Sequence, residues 1–288
     1  MISIDSLQVA YGDKEVLNIN QPIRFKSGEK IGIIGSNGAG KSTLIKAILG
    51  LIPYKGHIQR DVHHSQMAVH MQFNNYSTSV KTRDIIQMVA NSKIEEDPKL
   101  QELIDFFDFS KLLNKTFKQL SGGEKQKLTL ILVMWQDAPL TIFDEVTTGL
   151  DFVTRQMLMD KIVDYYHDKT TTVLLVSHYY EELENICDQL LYLHQGDVLF
   201  YGNKKDLFQT YCTPSVILMD DNETTQQLVG PKDRITSMPN KLAAGINDKN
   251  QEKQLVEALI DADQAFERVN DSIELTVLNA LEKEGYHE

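Results

Sequence analysis

Residues 35–43 of the sequence are GSNGAGKST, and the segments on either side of this stretch decide the fold. The preceding run Lys30–Ile34 is short and apolar, which predicts a buried strand. The periodic segment Ser42–Leu51 predicts a helix that closes near Pro53. Gly35–Ser42 fits the pattern G-x-x-x-x-G-K-[ST] and has the flanking strand and helix that this pattern requires. The stretch therefore predicts a phosphate-binding loop within an α/β fold.

Each residue type in this loop has a chemical task. Glycines let the backbone N–H groups turn inward around the α- and β-phosphates of a nucleotide, and the N-terminus of the following helix adds its dipole. Lys41 is expected to reach the β- and γ-phosphates, and the Ser42 hydroxyl is expected to ligate Mg²⁺. The predicted nucleotide-binding residues of the loop are Gly35, Ser36, Asn37, Gly38, Ala39, Gly40, Lys41, Ser42 and Thr43.

A second stretch, LTIFDE at Leu140–Glu145, is an apolar strand that ends in two acids. At the end of a neighbouring strand, Asp144 suits a Mg²⁺ site, and Glu145 suits a general base that polarises the attacking water. Paired acids after a strand also occur where a helix begins, and Val146–Thr148 could begin one. The phosphate loop elsewhere in the chain favours the catalytic interpretation.

A third stretch, LSGGEKQ at Leu120–Gln126, places small residues before a segment that is predicted to be helical to about Trp135. The N–H groups at the start of a helix form a natural anion site. The chain therefore carries two candidate phosphate sites, which a protein with a single nucleotide does not require.

In this order, GSNGAGKST, LSGGEKQ and LTIFDEVTTGLD resemble the nucleotide-binding domain of an ATP-binding cassette (ABC) ATPase, over residues 1 to about 210. The resemblance implies further site residues. Tyr11 resembles the aromatic residue that stacks on adenine, and Gln72 resembles the glutamine that senses Mg²⁺ and the membrane partner. His178 resembles the switch histidine that contacts the γ-phosphate, and Asp151 lies in the D-loop sequence Gly149–Asp151. The implied catalytic residues are Glu145, His178 and Gln72, and the implied Mg²⁺ residues are Ser42, Gln72 and Asp144.

The resemblance also explains the second phosphate site. In this family the signature loop closes over ATP that is bound to the phosphate loop of a second copy, so the chain is expected to form a head-to-tail dimer with two composite sites. The second cassette could be identical or different. Glu124 stands where the family usually has Gln, and Lys127 stands where Arg is frequent. The implied signature residues are Leu120, Ser121, Gly122, Gly123 and Glu124.

The periodicity predicts an α/β fold with two parts. Alternating apolar residues in the first thirty positions predict half-buried strands, and strands alternating with helices after residue 135 predict a mostly parallel sheet. The family resemblance implies that the first strands form an antiparallel N-terminal subdomain and that the core sheet is mixed. The expected ATPase domain spans residues 1–212, with a helical subdomain at about 74–135. Residues 213–288 hold most of the acidic excess, with apolar positions at 255–260 and 273–281 that predict two amphipathic helices. This small appendage, α/β or helical, is expected to steady the fold or the dimer, with a substrate-sensing role as the alternative.

Composition excludes several classes of protein. The net charge of −12 argues against a nucleic-acid partner, because neutralising phosphates takes an excess of Lys and Arg. Cys187 and Cys212 lack metal-site spacing, so we expect free thiols. Met1–Asp5 shows no signal-peptide pattern, and no apolar run is long enough to span a membrane. We therefore expect a soluble chain whose partner supplies any membrane spans.

The resemblance implies an enzyme that binds ATP and Mg²⁺ and hydrolyses ATP to ADP and phosphate. Its expected partner is a separately encoded integral-membrane permease, at the cytoplasmic face of the membrane. The tail around Ser272–Leu278 resembles ATPase subunits of exporters for peptides, antibiotics or lipids. The alternative is an ABC ATPase that does not transport, such as an iron–sulfur assembly factor. DNA-repair relatives are disfavoured because the segment between Ser42 and Ser121 is too short for their coiled coil.

Overall fold

A computed structural model describes residues 1–71 and 76–286, and the chain divides into two compact units, Met1–Val198 and Leu199–Glu288. The division falls before the composition shift at Cys212. The reason is that the helix Lys204–Tyr211 packs against the helix Ile273–Lys283, so both belong to the second unit.

The elements of the first unit follow the predicted alternation of strands and helices. Its strands are β1 (Ile2–Tyr11), β2 (Lys14–Ile19), β3 (Ile23–Phe25), β4 (Lys30–Ile34), β5 (Lys55–Arg60), β6 (Met67–His70), β7 (Leu140–Asp144), β8 (Thr172–Val176) and β9 (Gln189–His194). Its helices are α1 (Lys41–Ile48), α2 (Thr82–Ala90), α3 (Pro98–Phe106), α4 (Gly122–Trp135), α5 (Phe152–Tyr166) and α6 (Tyr180–Ile186). Strand β10 (Asp197–Asn203) carries the chain into the second unit.

The first strands form the predicted antiparallel sheet. β1 lies at its centre and pairs antiparallel with β2, β3 and β5. Along β1 the apolar side chains Ile2, Ile4, Leu7 and Val9 are buried. One face of the sheet is therefore turned to the core, which is what the alternation in the sequence predicted.

The central sheet positions the site. Its strands run in the order β9-β4-β8-β7-β6, and all of these neighbours are parallel. Every residue of β4, β7 and β8 is buried, as expected for strands covered on both faces. Ile33 and Asp144 both pair with Val176. Because parallel strands end at the same edge, the residues that follow β4, β7 and β8 come together there.

The chain between residue 82 and β7 is mainly helical, as its periodicity predicted. Helices α2 and α3 pack on α4, and 3₁₀ turns connect them. Asp97 caps α3 by accepting from the Leu100 N–H at 3.1 Å, and Pro98 occupies the first turn. The Trp135 indole N–H donates to the other oxygen of Asp97 at 2.8 Å. One carboxylate thus joins the start of α3 to the end of α4.

The second unit contains a sheet whose individual strands the sequence analysis did not locate. Its strands β11 (Ser215–Asp220), β12 (Arg234–Ile235), β13 (Lys241–Ile246) and β14 (Phe266–Val269) form an antiparallel sheet in the order β12-β13-β11-β14. Its helices are α7 (Lys204–Tyr211), α8 (Glu223–Leu228), α9 (Lys249–Asp261) and α10 (Ile273–Lys283). The sequence β11-α8-β12-β13-α9-β14 is a split βαβ arrangement. The α/β form of the predicted appendage is therefore the one observed.

The central strands β11 and β13 of this second sheet are buried on both faces, which explains why they gave no alternating signal. Ile217 and Met219 of β11 pack in one apolar cluster with Leu259 of α9. Val216 and Leu218 point to the opposite face, where they pack in a second cluster that includes residues of α7 and α10. Both predicted amphipathic helices are present as α9 and α10. Ile260, which the pattern placed on the apolar face of α9, is 63% exposed.

Candidate functional site

The phosphate-binding loop lies between β4 and α1 in a backbone conformation that only glycine tolerates. Gly35 has a φ of 148°, and a Cβ there would lie 2.2 Å from the Leu193 carbonyl oxygen. Gly40 has a φ of 105°, and its Cβ would lie 2.8 Å from Leu17 Cδ1. Gly40 is also the N-cap of α1 and provides no side-chain cap. The first turn of α1 therefore opens towards the loop, as a phosphate site requires.

Lys41 is the first residue of α1, and its side chain turns back to the loop. Its side chain is buried, and its ammonium donates to the carbonyl oxygens of Gly35 at 2.7 Å and Ser36 at 3.1 Å. Burial lowers the pKa of Lys41, and the charges of Glu145 and Asp144 act in the opposite direction. The ammonium is thus held by two backbone carbonyl oxygens close to two acids, where an incoming phosphate can replace the carbonyls as its partner.

Asp144 and Ser42 meet at the end of β7. Asp144 is 1% exposed, and the Ser42 hydroxyl donates to its Oδ1 at 3.4 Å. Burial raises the pKa of Asp144, while the Ser42 bond opposes this shift. A buried carboxylate beside a hydroxyl supplies the oxygen ligands that Mg²⁺ prefers, and a cation there would offset the cost of burying the acid. The residues present therefore fit a Mg²⁺ ion.

Glu145 is held in place by its backbone as well as its side chain. Its φ is 53°, which is uncommon for a residue with a side chain, and its N–H donates to the Val176 carbonyl at 3.0 Å. Its Oε1 lies 2.7 Å from His178 Nε2, and its Oε2 accepts from the Thr148 hydroxyl at 3.3 Å. Glu145 and His178 were predicted independently, and the structure brings them together as a hydrogen-bonded pair.

The signature stretch begins α4. Ser121 is the N-cap and forms a reciprocal capping box with Glu124: Ser121 Oγ accepts from the Glu124 N–H, and Glu124 Oε2 accepts from the Ser121 N–H at 2.8 Å. Glu124 Oε1 also accepts from Lys115 Nζ at 2.9 Å. These bonds hold the pKa of Glu124 below its usual range, with Lys115 as the main cause. Glu124 thus contacts Lys115 and the helix start in its own chain.

The signature stretch lies beside the segment that carries Asp151. A Cβ at Gly123 would lie 2.7 Å from Thr154 Cγ2, and one at Gly122 would lie 3.5 Å from Leu150 Cδ2. Asp151 caps α5, with its carboxylate accepting from the N–H and the hydroxyl of Thr154 at 3.0 and 2.7 Å. The structure therefore brings the signature and D-loop segments of one chain together.

The remaining predicted residues differ in their placement. Tyr11 ends β1 and is 50% exposed, and the hairpin it belongs to brings Leu17 against Gly40. Gln72 lies outside the described residues. The preceding strand ends in His70, which is fully buried, with its Nε2 2.6 Å from Gln126 Oε1 of the signature stretch. Burial lowers the pKa of His70 to about 4, so the ring is neutral near pH 7.

Two connections in this site were absent from the sequence interpretation. The His70–Gln126 contact has no local signal, because a histidine in an apolar strand is ordinary by itself. Glu182, near the start of α6, is buried and bonded to residues beside Glu145 and His178. Its only signal in the sequence is an acid four positions after His178.

No helix in residues 1–71 and 76–286 is long and apolar enough to cross a membrane.

Known proteins resemble this chain in sequence. The family model described as "ABC transporter" matches residues 20–148. Nod factor export ATP-binding protein I of Rhizobium etli is 30% identical, over 87% of this chain and 85% of that protein. The methionine import ATP-binding protein MetN of Clostridioides difficile is 28% identical, over 72% of this chain and 70% of that protein.

A solved structure supports the same fold. A dimeric ATP-binding cassette in a post-hydrolysis state, bound to ADP and phosphate, matches with a TM-score of 0.62 and 20% identity, over 70% of this chain and 98% of that chain. The fold, the order of the motifs and the 30% identity to the Rhizobium etli protein lead to one conclusion. The chain belongs to the ABC transporter family, as an ATP-binding subunit that hydrolyses ATP.

Proposed function

We propose that this subunit powers a separately encoded membrane permease and that the complex exports a peptide, antibiotic or lipid-like cargo. The direction of transport is proposed from the match to a Nod factor export protein, which spans 87% of this chain and 85% of that protein. The match to a methionine import protein spans only 72% of this chain. In this proposal the subunit works at the cytoplasmic face of the membrane, bound to the permease.

The site supports a proposal for hydrolysis. Lys41 binds the β- and γ-phosphates, and Glu145 accepts the proton of the attacking water as general base. His178, which lies 2.7 Å from Glu145, orients that carboxylate and contacts the γ-phosphate. Ser42 and Asp144, together with Gln72, would hold Mg²⁺, which would neutralise phosphate charge. The burial of Lys41 and Asp144 supports these assignments, because a nucleotide with its cation would offset both costs.

The signature stretch supports a proposal for a dimer. Ser121 Oγ accepts from the Glu124 N–H, which leaves the hydrogen of the hydroxyl free to be donated elsewhere. That hydroxyl and the N–H groups of Gly122 and Gly123 at the start of α4 donate to the γ-phosphate of ATP on a second cassette. Asp151 lies at the same contact, and Tyr11 stacks on the adenine. The second cassette is either a copy of this chain or a different one.

Purification from membranes tests the partner. The tagged chain is expressed in its native host, membranes are solubilised in detergent, and bound proteins are identified. We expect an integral-membrane protein to co-purify in a fixed ratio and to be lost from an untagged control. A tagged chain that is recovered entirely without such a protein would contradict the permease proposal and support a non-transport ATPase.

Transport into vesicles tests the direction. Inside-out vesicles that contain the purified complex are given ATP and one of three probes: a fluorescent phospholipid, an oligopeptide or a labelled antibiotic. Export predicts ATP-dependent accumulation of one probe inside these vesicles, and none with Glu145→Gln. ATP-dependent accumulation only in right-side-out vesicles with ATP enclosed would show import instead.

A further inference from the structure

Glu182 is a buried acid with no role in the site described so far. Its side chain is 5% exposed, and its two carboxylate oxygens are both bonded. Oε1 accepts from the Thr147 hydroxyl at 2.7 Å, and Oε2 accepts from the Ser177 hydroxyl at 2.5 Å. A buried carboxylate costs free energy unless it is paired in this way, so its surroundings must be formed accurately in the folded chain.

The two hydroxyl donors belong to the two loops that carry the catalytic pair. Thr147 lies two residues after Glu145, and Ser177 lies directly before His178. Glu145 contacts His178 directly, and its N–H donates to the Val176 carbonyl at 3.0 Å. The Glu182 carboxylate adds a further bridge between these loops, through the hydroxyls of Thr147 and Ser177. Any movement of one loop relative to the other must therefore stretch a hydrogen bond to Glu182.

A third connection leads to α5. Arg155 Nε lies 3.8 Å from Glu182 Oε1, and the Arg155 side chain is 13% exposed. Its guanidinium also lies 3.8 Å from the centre of the Tyr179 ring. The Tyr179 N–H donates in turn to Ser177 Oγ at 2.9 Å. Since Arg155 is one turn after Asp151, the same cluster joins the D-loop helix to the loop of His178.

Burial and the neighbouring groups act on the Glu182 carboxylate in opposite directions. Burial raises the pKa of Glu182, while the bonds from Ser177 and Thr147 and the charge of Arg155 act in the opposite direction. The exposed neighbour Glu181 also approaches Arg155, at 3.9 Å, but its side chain is 75% exposed. Glu181 and Glu182 therefore share a helix and a charged partner and differ in burial and in the bonds to the two hydroxyls.

We propose that Glu182 is a positioning residue for ATP hydrolysis: it fixes the loop of Glu145 and the loop of His178 relative to each other and to the start of α5. It acts through Thr147, Ser177 and Arg155 and does not touch the nucleotide. The inference rests on the ATPase activity of the family and is independent of the cargo and of the direction of transport.

The test compares Glu182→Ala, Glu182→Gln and the matched control Glu181→Ala in the full-length chain. We expect Glu182→Ala to lower kcat by on the order of tenfold, because a small displacement of catalytic groups is enough for such a loss. The KM for ATP should stay within about twofold, since the phosphate loop is unchanged. Glu182→Gln should recover part of kcat, because its amide oxygen still accepts one hydroxyl bond. Glu181→Ala should match wild type.

A second measurement separates positioning from general loss of structure. Ser177→Ala removes one bond of Glu182, and combining it with Glu182→Ala should lower kcat no further than Glu182→Ala alone. Equal kcat for Glu182→Ala and Glu181→Ala would overturn the proposal, and so would a parallel loss of kcat and ATP affinity. If Glu182→Ala does not fold, Ser177→Ala and Glu182→Gln decide: wild-type kcat in both overturns the proposal, and a lowered kcat at unchanged KM supports it.

Discussion

The two halves of the predicted composite site are built in different ways. In the phosphate-loop half, the contacts join distant parts of the chain: Ser42 bonds Asp144 across 102 positions, and Glu145 meets His178 across 33. In the signature half, Ser121 bonds Glu124 three positions away, and Lys115 reaches Glu124 from nine positions away.

This difference shows what each half depends on. The phosphate-loop half exists only when the parallel sheet brings the ends of β4, β7 and β8 together, so its geometry depends on the whole unit. The signature half also receives a distant contact, from His70 to Gln126, but its helix cap is formed by Ser121 and Glu124 and so depends on neighbours in sequence. Substitutions in the first half should therefore alter catalysis strongly, and those in the local contacts of the second should alter stability slightly.

The largest effect is expected at Glu145. Glu145→Gln keeps the shape of the side chain but removes the base, so turnover should fall by on the order of 10²–10⁴-fold while ATP binding is kept. Phosphate release and equilibrium binding of ATP measure the two quantities separately. Turnover close to that of wild type would remove Glu145 from this role.

The next effect is expected at Lys41. Lys41→Ala removes a buried ammonium that is aimed at the phosphates, and a charged hydrogen bond of this kind contributes about 1.5–3 kcal/mol. The Kd for ATP should therefore rise by roughly ten- to a hundredfold. The matched control is the exposed Lys55→Ala, which should bind ATP as wild type does. An unchanged Kd in Lys41→Ala would count against the phosphate-loop assignment.

The sequence predicts the local contacts of this site better than the contacts between distant parts of the chain. The pattern S-x-x-E at Ser121–Glu124 shows the capping box directly, because its partners are local. Glu145 could be named from the two acids that end an apolar strand and His178 only from the family resemblance, whereas the contact between them depends on strand order. The bridge through Glu182 has no motif and appears only after folding, because its partners come from three separate segments.

The fold of the second unit shows the same limit in another form. Its helices α9 and α10 were predicted from periodicity. Strand β11 is buried on both faces, so its apolar run carries no period that separates a strand from a buried helix. The sheet order then depends on pairing between β11, β13 and β14, which are separated by helices and loops. Neither the strand nor its pairing is visible locally.

Mixed dimers test whether the two halves of a site belong to different copies. The expected change in ATPase activity is smaller than in the preceding variants. A Ser121→Ala copy and a Lys41→Ala copy should each have low activity alone. Mixed together, they form hybrids in which one composite site is intact and the other carries both defects. Hybrid activity should therefore reach at most about half that of wild type, since one site of two is restored. The activity of purified hybrids, separated by two different tags, measures this. Activity equal to two wild-type sites would refute the shared site.

The smallest effect is expected at Glu124, where the contacts are local and near the surface. Glu124→Ala removes the acceptor of the Ser121 N–H and the ion pair with Lys115, which together contribute about 1 kcal/mol to the free energy of unfolding. Glu124→Gln keeps an oxygen for the Ser121 N–H and should lose less than half of this. Thermal unfolding measures both, with Lys115→Ala as the control that removes only the ion pair.

The pH dependence of this effect follows from the lowered pKa of Glu124. A carboxylate whose pKa is depressed in the folded state stabilises the fold above its unfolded pKa and loses that contribution as the pH falls through the folded value. The difference in melting temperature between wild type and Glu124→Ala should therefore be complete near pH 7 and should shrink as the pH is lowered below the ordinary glutamate value of 4.5. A difference that is constant with pH would mean that the carboxylate charge contributes nothing. In that case the signature half would be held by the uncharged parts of its cap, which Gln supplies equally well.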